Sequence, residues 1–504
     1  MPQPTRPVYY GLTLALALMV LVGFVPHPAP ALPFRPTDQF LSDQAAALRP
    51  EQRGDLALAE QWDRYQITLS LLPAERRARG TLRLTLTNRT AAPYERLYFR
   101  LYPNHADYGG RLDVTGARIA GRPAASGTEQ RDTLIWLALP QPLAPGASTV
   151  AELDFVARTP RNASANSFGA FNQEAGLWSL AGFYPMLARQ RGAEGWDRRP
   201  LSSRGDFAVS DTALYDVTVT APTGWNLVST GVRVGLDPLN GGLRRERFVS
   251  GPQREFYLGA TNGLDQASST VDGVRVVSHY QRSNPEAGRR ALQYAEAALR
   301  AFNQRYGQYP LAELEVLQGA MTTFLGMEYP GVVLIDQGLY RREGRLLETT
   351  VVHEVAHQWW YSLVGNDAQS EPWLDEGLSS YAQVLYYEQI GAPELAAAEL
   401  EAYRATYRRL REQGRDVPLG TPPAGLRGIY VPVIYAKGAL FFHALRGQIG
   451  EEAFARFLNH YYTQGRYGFA SGPDLLLSAE TACSCDLASF YAAWVTDGTS
   501  VPIP

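Results

Sequence analysis

His353-Glu354-Val355-Ala356-His357-Gln358-Trp359-Trp360 is the stretch on which the reading of this chain turns. Residues four apart share one face of an α-helix, so both imidazoles can present a ring nitrogen to a single ion. Glu354 follows the first histidine and is placed to hold a water beside that ion and take its proton. A zinc site that keeps one position open needs a third protein ligand. Glu376, in Trp373-Leu374-Asp375-Glu376-Gly377, is the candidate. Apolar residues at Leu347, Val351, Val355, Trp359 and Leu363 keep helical spacing and predict a packed helix over roughly 346–364. The competing reading is a satisfied pair of core histidines; Glu354 and Glu376 together argue against it.

Two further stretches support a catalytic reading. His353-Glu354-x-x-His357 followed by Glu376 resembles the gluzincin arrangement of the M1 metallopeptidases, the zinc aminopeptidases. Gly326-Met327-Glu328-Tyr329-Pro330 is similar to the family's G-x-M-E-N exopeptidase motif, with Tyr329 where Asn is usual. Tyr435-Ala436-Lys437-Gly438 is similar to its Y-x-K-G segment. The resemblance runs from about residue 60 onward and is strongest between 320 and 445. It implies one zinc ion per chain held by His353, His357 and Glu376, with Glu354 as general base. Tyr435 would donate a hydrogen bond to the developing oxyanion, and Asp375 would neighbour the ligand. Gly326, Met327 and Glu328 would bind substrate. A carboxylate at Glu328 can pair with a free α-amino group, which an internal peptide segment does not offer. Gly326 allows close approach of backbone to an extended peptide. The implied activity is removal of N-terminal residues from peptides. An endopeptidase of the same fold and a non-catalytic peptide-binding module are the alternatives.

Composition bounds the rest. The chain has 504 residues, 45% hydrophobic and 19% charged, enough for two or three domains with sizeable cores. A net charge of −3 leaves no basic footprint, which argues against nucleic acid as a partner. The only cysteines are Cys483 and Cys485. One intervening residue predicts a strained ring if they bridge, so they read as two incidental thiols on a surface loop. The other histidines, His27, His105, His279, His443 and His460, lack ligand spacing.

Val8 to Val25 carries no charge and follows Arg6. It reads either as a signal peptide cleaved after Ala31 or as a membrane anchor; both put the body of the protein outside the cytoplasm. The expected division is 1–31 signal or anchor, 32–60 linker, 61–268 N-terminal β-domain, and 269–504 catalytic domain. Strand alternation supports the β-domain: Ile67, Leu69 and Leu71; Leu82, Leu84 and Leu86; Leu97, Phe99 and Leu101. Gly80 and Asn88 are expected at turns. Residues 161–205, rich in aromatics, read as a loop facing the site or as covered core. From Asn284 the period becomes helical, with Pro285 at the first position and Leu292, Ala295, Leu299, Phe302 and Tyr306 as a stripe. Further helices are expected at 373–390, 435–449 and 451–464. Strands followed by helices give an α+β fold, an antiparallel β-sandwich-like domain and then a mainly helical one. The resemblance makes the latter thermolysin-like, in a short form without the family's helical C-terminal domain.

Overall fold

A computed structural model describes residues 37–162, 170–202, 205, 208–342, 344–497 and 501–504, all within the compact unit Phe34–Pro504. The uncharged stretch 8–25 and the Ala31 site lie outside the described residues. Among the described residues no helix is long and apolar enough to cross a membrane.

The first half is β, as the alternation predicts. Asp63–Leu72 and Arg77–Thr87 pair antiparallel at the centre of an eight-stranded sheet. Ile67, Leu69, Leu71, Leu82, Leu84 and Leu86 all point into one core. The sheet departs from pure antiparallel order once: Asp63–Leu72 lies parallel to Ala213–Pro222, a strand about 150 residues away in sequence. Two four-stranded sheets complete this half, one built on Tyr94–Arg100 and Leu134–Leu143, the other on Phe171–Glu174 and Leu177–Leu180. Trp178, Phe183 and Tyr184 are fully buried, which makes this part of the aromatic stretch covered core.

Several expectations change. Gly80 is not at a turn. It lies within Arg77–Thr87, where a Cβ would stand 2.6 Å from the ring of Phe155 on the neighbouring strand. The turn comes earlier, at Pro73–Glu75, with Arg76 left-handed at φ 49°. Residues assigned to a linker instead form the helix Thr37–Gln44 and a 3₁₀ stretch Pro50–Gln61. Phe40 is buried in the main core, and the Gln44 amide bonds the Tyr215 carbonyl and the Gly251 amide. A boundary at 268 falls inside the strand Leu264–Val271. That strand and Val274–Gln281 form a hairpin that continues through Glu313–Gly319 and Val332–Asp336 to the edge strand Gly326–Met327. Hence the hairpin belongs to the sheet that carries the site.

The second half is mainly helical. Pro285–Arg305 buries the expected stripe, and the Asn284 side chain ahead of it makes no capping hydrogen bond. The histidine helix runs only Leu346–Ala356. His357 is its cap, still right-handed at φ −62°, and the chain then turns, with Tyr361 at φ 135°. Leu363 is buried but not on that helix. The helix Trp373–Gln389 matches its expected bounds, with Gly391 left-handed just beyond. Gly438–Ile449 and Glu451–Gly465 meet at Gly450, and a π-type turn Val431–Lys437 precedes them. Helices Pro393–Glu412 and Gly472–Cys483 also form. Cys483 and Cys485 are bridged, not free. Ser484, left-handed at φ 55°, curls the chain so that the two Cα atoms come within 5.2 Å.

Candidate active site

The site is assembled from four segments that pack on one core. The histidine helix supplies His353 and His357 on one face, one turn apart. His357 Nε2 lies 3.0 Å from His353 Nε2. Oε2 of Glu376, from the first turn of Trp373–Gln389, lies 3.0 Å from His353 Nε2 and 3.2 Å from His357 Nε2. All three residues are buried. The His357 Nδ1–H donates to the Trp360 carbonyl at 2.9 Å, because a carbonyl can only accept. In the neutral ring, Nε2 therefore presents its lone pair to the other donors. The chain turn after the helix thus fixes the tautomer, a contact that helical spacing alone does not reveal.

Three lone-pair atoms converging in a buried site are satisfied by a positive charge among them, a proton or a metal ion. Without a metal, His357 and Glu376 meet that need as an ion pair. Burial disfavours charge on His357, but Glu376 beside it overrides this and raises its pKa to about 10. Burial would raise the Glu376 carboxyl, yet hydrogen bonds to both histidines hold it well below the usual range. His353, where burial dominates, is pushed down. The donor set, two imidazole nitrogens and one carboxylate oxygen, is that of an open zinc site.

Around this triad the remaining sequence candidates gather. Glu354 is buried, and its carboxylate, that of Glu328 and the His357 ring all have donor atoms within 4.8 Å of one another. Gly326 presses directly on Glu354 from the edge strand. Gln358, which follows the second histidine, accepts from the Gly331 amide at 2.8 Å and donates to the Tyr329 carbonyl at 3.3 Å. It thereby ties the segment carrying Glu328 to the histidine helix. Tyr329 stacks on Tyr257 of the β-domain at 4.7 Å, which explains an aromatic at this position. Met327, named as a substrate residue, packs half-buried against the β-domain core.

Tyr435 stands on the π-type turn. Its hydroxyl donates to Oε1 of Glu376, and its ring stacks on His353 at 5.7 Å. Asp375 accepts from Asn366 Nδ2 at 2.9 Å. Asp367, just before that helix, receives Arg191 at 2.6 Å and Arg199 at 2.9 Å from the β-domain. Sequence reading missed Gln358, Asn366, Asp367 and both arginines, because each acts on a partner distant in the chain and follows no local pattern. His443 meets the Tyr381 hydroxyl at 3.4 Å and His279 meets Glu315 at 2.6 Å, so neither joins the site.

Known proteins are similar to this chain in sequence and in fold. Residues 290–494 match the peptidase family M1 domain. The chain is 27% identical over 284 residues to aminopeptidase N of Lactococcus lactis subsp. lactis, covering 51% of this chain and 33% of that protein. It is 26% identical over 330 residues to human endoplasmic reticulum aminopeptidase 2, covering 60% and 34%. The matches thus span about a third of the length of these curated relatives. The fold resembles the crystal structure of an M1 zinc metallopeptidase from Deinococcus radiodurans, with TM-score 0.66 and 24% identity, covering 88% of this chain and 95% of that one. Residues 290–494 are thus similar to the peptidase family M1 domain, and the chain shares the fold of that zinc metallopeptidase.

Proposed function

We propose that the protein is a zinc-dependent aminopeptidase acting on peptides. The observation that carries this is the convergence of His353, His357 and Glu376, with two further buried carboxylates, Glu354 and Glu328, close beside His357. When bound, zinc would polarise the scissile carbonyl and make water acidic enough to ionise near neutral pH. Glu354 takes the proton of the attacking water and passes it to the leaving amine. The Tyr435 hydroxyl, already aimed at the ligand carboxylate, stabilises the charge that develops on the carbonyl oxygen. Glu328 receives the substrate's α-ammonium group, which selects a free N-terminus over an internal segment. The edge strand Gly326–Met327 offers the side on which an extended peptide can add. The relatives named aminopeptidase support this reading.

We also propose an extracytoplasmic location. The uncharged stretch from Val8 to Val25 and the Cys483–Cys485 bridge support it. Sequencing the N-terminus of the exported protein separates cleavage after Ala31 from retention as an anchor; an uncleaved protein in the cytosol rejects both.

The deciding experiment uses one short peptide with a free or an acetylated N-terminus, with and without chelator. Cleavage of the free peptide alone, lost with chelator and restored by zinc, supports the proposal. Glu328→Gln is then expected to raise KM for the free peptide roughly tenfold to a hundredfold, the range for losing one buried charge-assisted contact. Equal cleavage of both peptides by the unaltered protein would make it an endopeptidase.

A further inference from the structure

Beside the site lies a glycine seam that the chemistry above does not use. Gly377 follows Glu376 on its helix, and Gly438 opens the helix that follows the Tyr435 turn. A Cβ on Gly438 would stand 2.8 Å from the Gly377 Cα. One on Gly377 would stand 3.0 Å from the Gly438 Cα and 3.1 Å from its carbonyl carbon. Backbone meets backbone, so no side chain can swing aside. Gly438 is right-handed helical at φ −59°, so conformational freedom is not why glycine stands there. Glycine is also a poor helix former beside alanine, and its local cost marks a contact that needs the missing Cβ.

What the seam joins is specific. On one helix Glu376 is adjacent to Gly377. On the other side Tyr435 is three residues before Gly438, and its hydroxyl meets Glu376 Oε1 while Oε2 faces the histidines. Winding between Tyr435 and Gly438 is wide, the Gly438 amide reaching back to the Val433 carbonyl. A rigid backbone contact therefore stands one residue from the ligand and three from the hydroxyl that touches it.

We propose that Gly377 and Gly438 are positioning residues, whose backbone contact sets the spacing between the Glu376 helix and the Tyr435 turn and so aims the Tyr435 hydroxyl. This rests on the hydrolytic reading above. An added methyl pushes the two helices apart and withdraws the hydroxyl.

The test is a double-mutant cycle on the zinc-loaded full chain: Gly438→Ala, Tyr435→Phe and both. Gly438→Ala is expected to lower kcat about 10- to 100-fold with KM changed less than about twofold, the pattern of a lost transition-state contact. In the Tyr435→Phe background the same substitution is expected to cost less than about twofold, because the group it misplaces is already gone. Loss of zinc to a chelator, read without any substrate, should quicken on the order of tenfold in Gly438→Ala and in Tyr435→Phe alike, and little further in the double variant. Equal cost of Gly438→Ala in both backgrounds, or unchanged kcat and zinc release in a folded variant, overturns the proposal. Should Gly438→Ala not fold, Gly377→Ala takes its place; failure of both to fold makes the seam a folding requirement and also overturns it. If the unaltered protein cleaves no peptide, the hydrolytic reading fails by itself, and the zinc-release cycle decides the seam alone.

Discussion

Gly326 lies flat against Glu354: a Cβ at residue 326 would fall within 2.5 Å of Glu354 Cγ and nearer still to its carboxylate. Sequence reading assigns this glycine to the approach of substrate. The structure gives it a second task, which is to leave room for the proposed general base. Gly326→Ala should therefore displace the Glu354 carboxylate. The expected result is a fall in kcat on the order of 10²-fold or more, within the range for a lost general base, with zinc content unchanged. Steady-state kinetics beside metal analysis checks this; wild-type kcat in a folded variant rejects the close contact.

Lys437 is the chain's single lysine, and its side chain is fully buried. Its ammonium donates to Asp416 Oδ1 at 2.8 Å and to the Val417 carbonyl at 2.7 Å, and Asp416 also accepts from the Tyr407 hydroxyl at 2.6 Å. Lys437→Met leaves the Asp416 charge without that partner, and a broken buried pair costs about 3–5 kcal/mol. Denaturant unfolding should show a loss of that size. An amine-reactive reagent should leave residue 437 unmodified in the folded protein and modify it after unfolding. Peptide mapping reads this, and rapid labelling of the native protein would contradict the burial.

Removing the metal should destabilise the fold, because the three converging donors bind the ion only in the folded state. Free zinc at a hundred times its dissociation constant is expected to add about 2.7 kcal/mol. The melting temperature should drop with chelator and recover with zinc. His357→Ala should abolish the zinc response. A melting curve indifferent to zinc would reject the metal assignment of His353, His357 and Glu376.

Much of the candidate site was legible because it obeys local rules. His353 and His357 share a face through helical spacing, and that survives although the helix ends at Ala356, since His357 keeps right-handed geometry. Alternation identified strands at Asp63–Leu72 and Arg77–Thr87 because each buries one face. The place of Gly80 is hidden for a related reason. A glycine inside a strand looks like a turn until the Phe155 ring that occupies its Cβ space is seen. The Cys483–Cys485 bridge is not legible in the sequence, because it depends on the left-handed Ser484 between the two cysteines.

The sequence by itself determined which residues are candidates for the chemistry: the spacing of His353, Glu354 and His357, and the family-like segments around Glu328, Glu376 and Tyr435. Only the tertiary structure decided how they meet. Gly326 against Glu354, Gly377 against Gly438, Gln358 holding Tyr329 and Gly331, and Arg191 and Arg199 on Asp367 are contacts between segments tens to hundreds of residues apart. Helix and strand periods record which face of a segment is buried, but not which other segment buries it. That choice belongs to close packing, in which a missing Cβ or a single amide sets where two backbones come to rest.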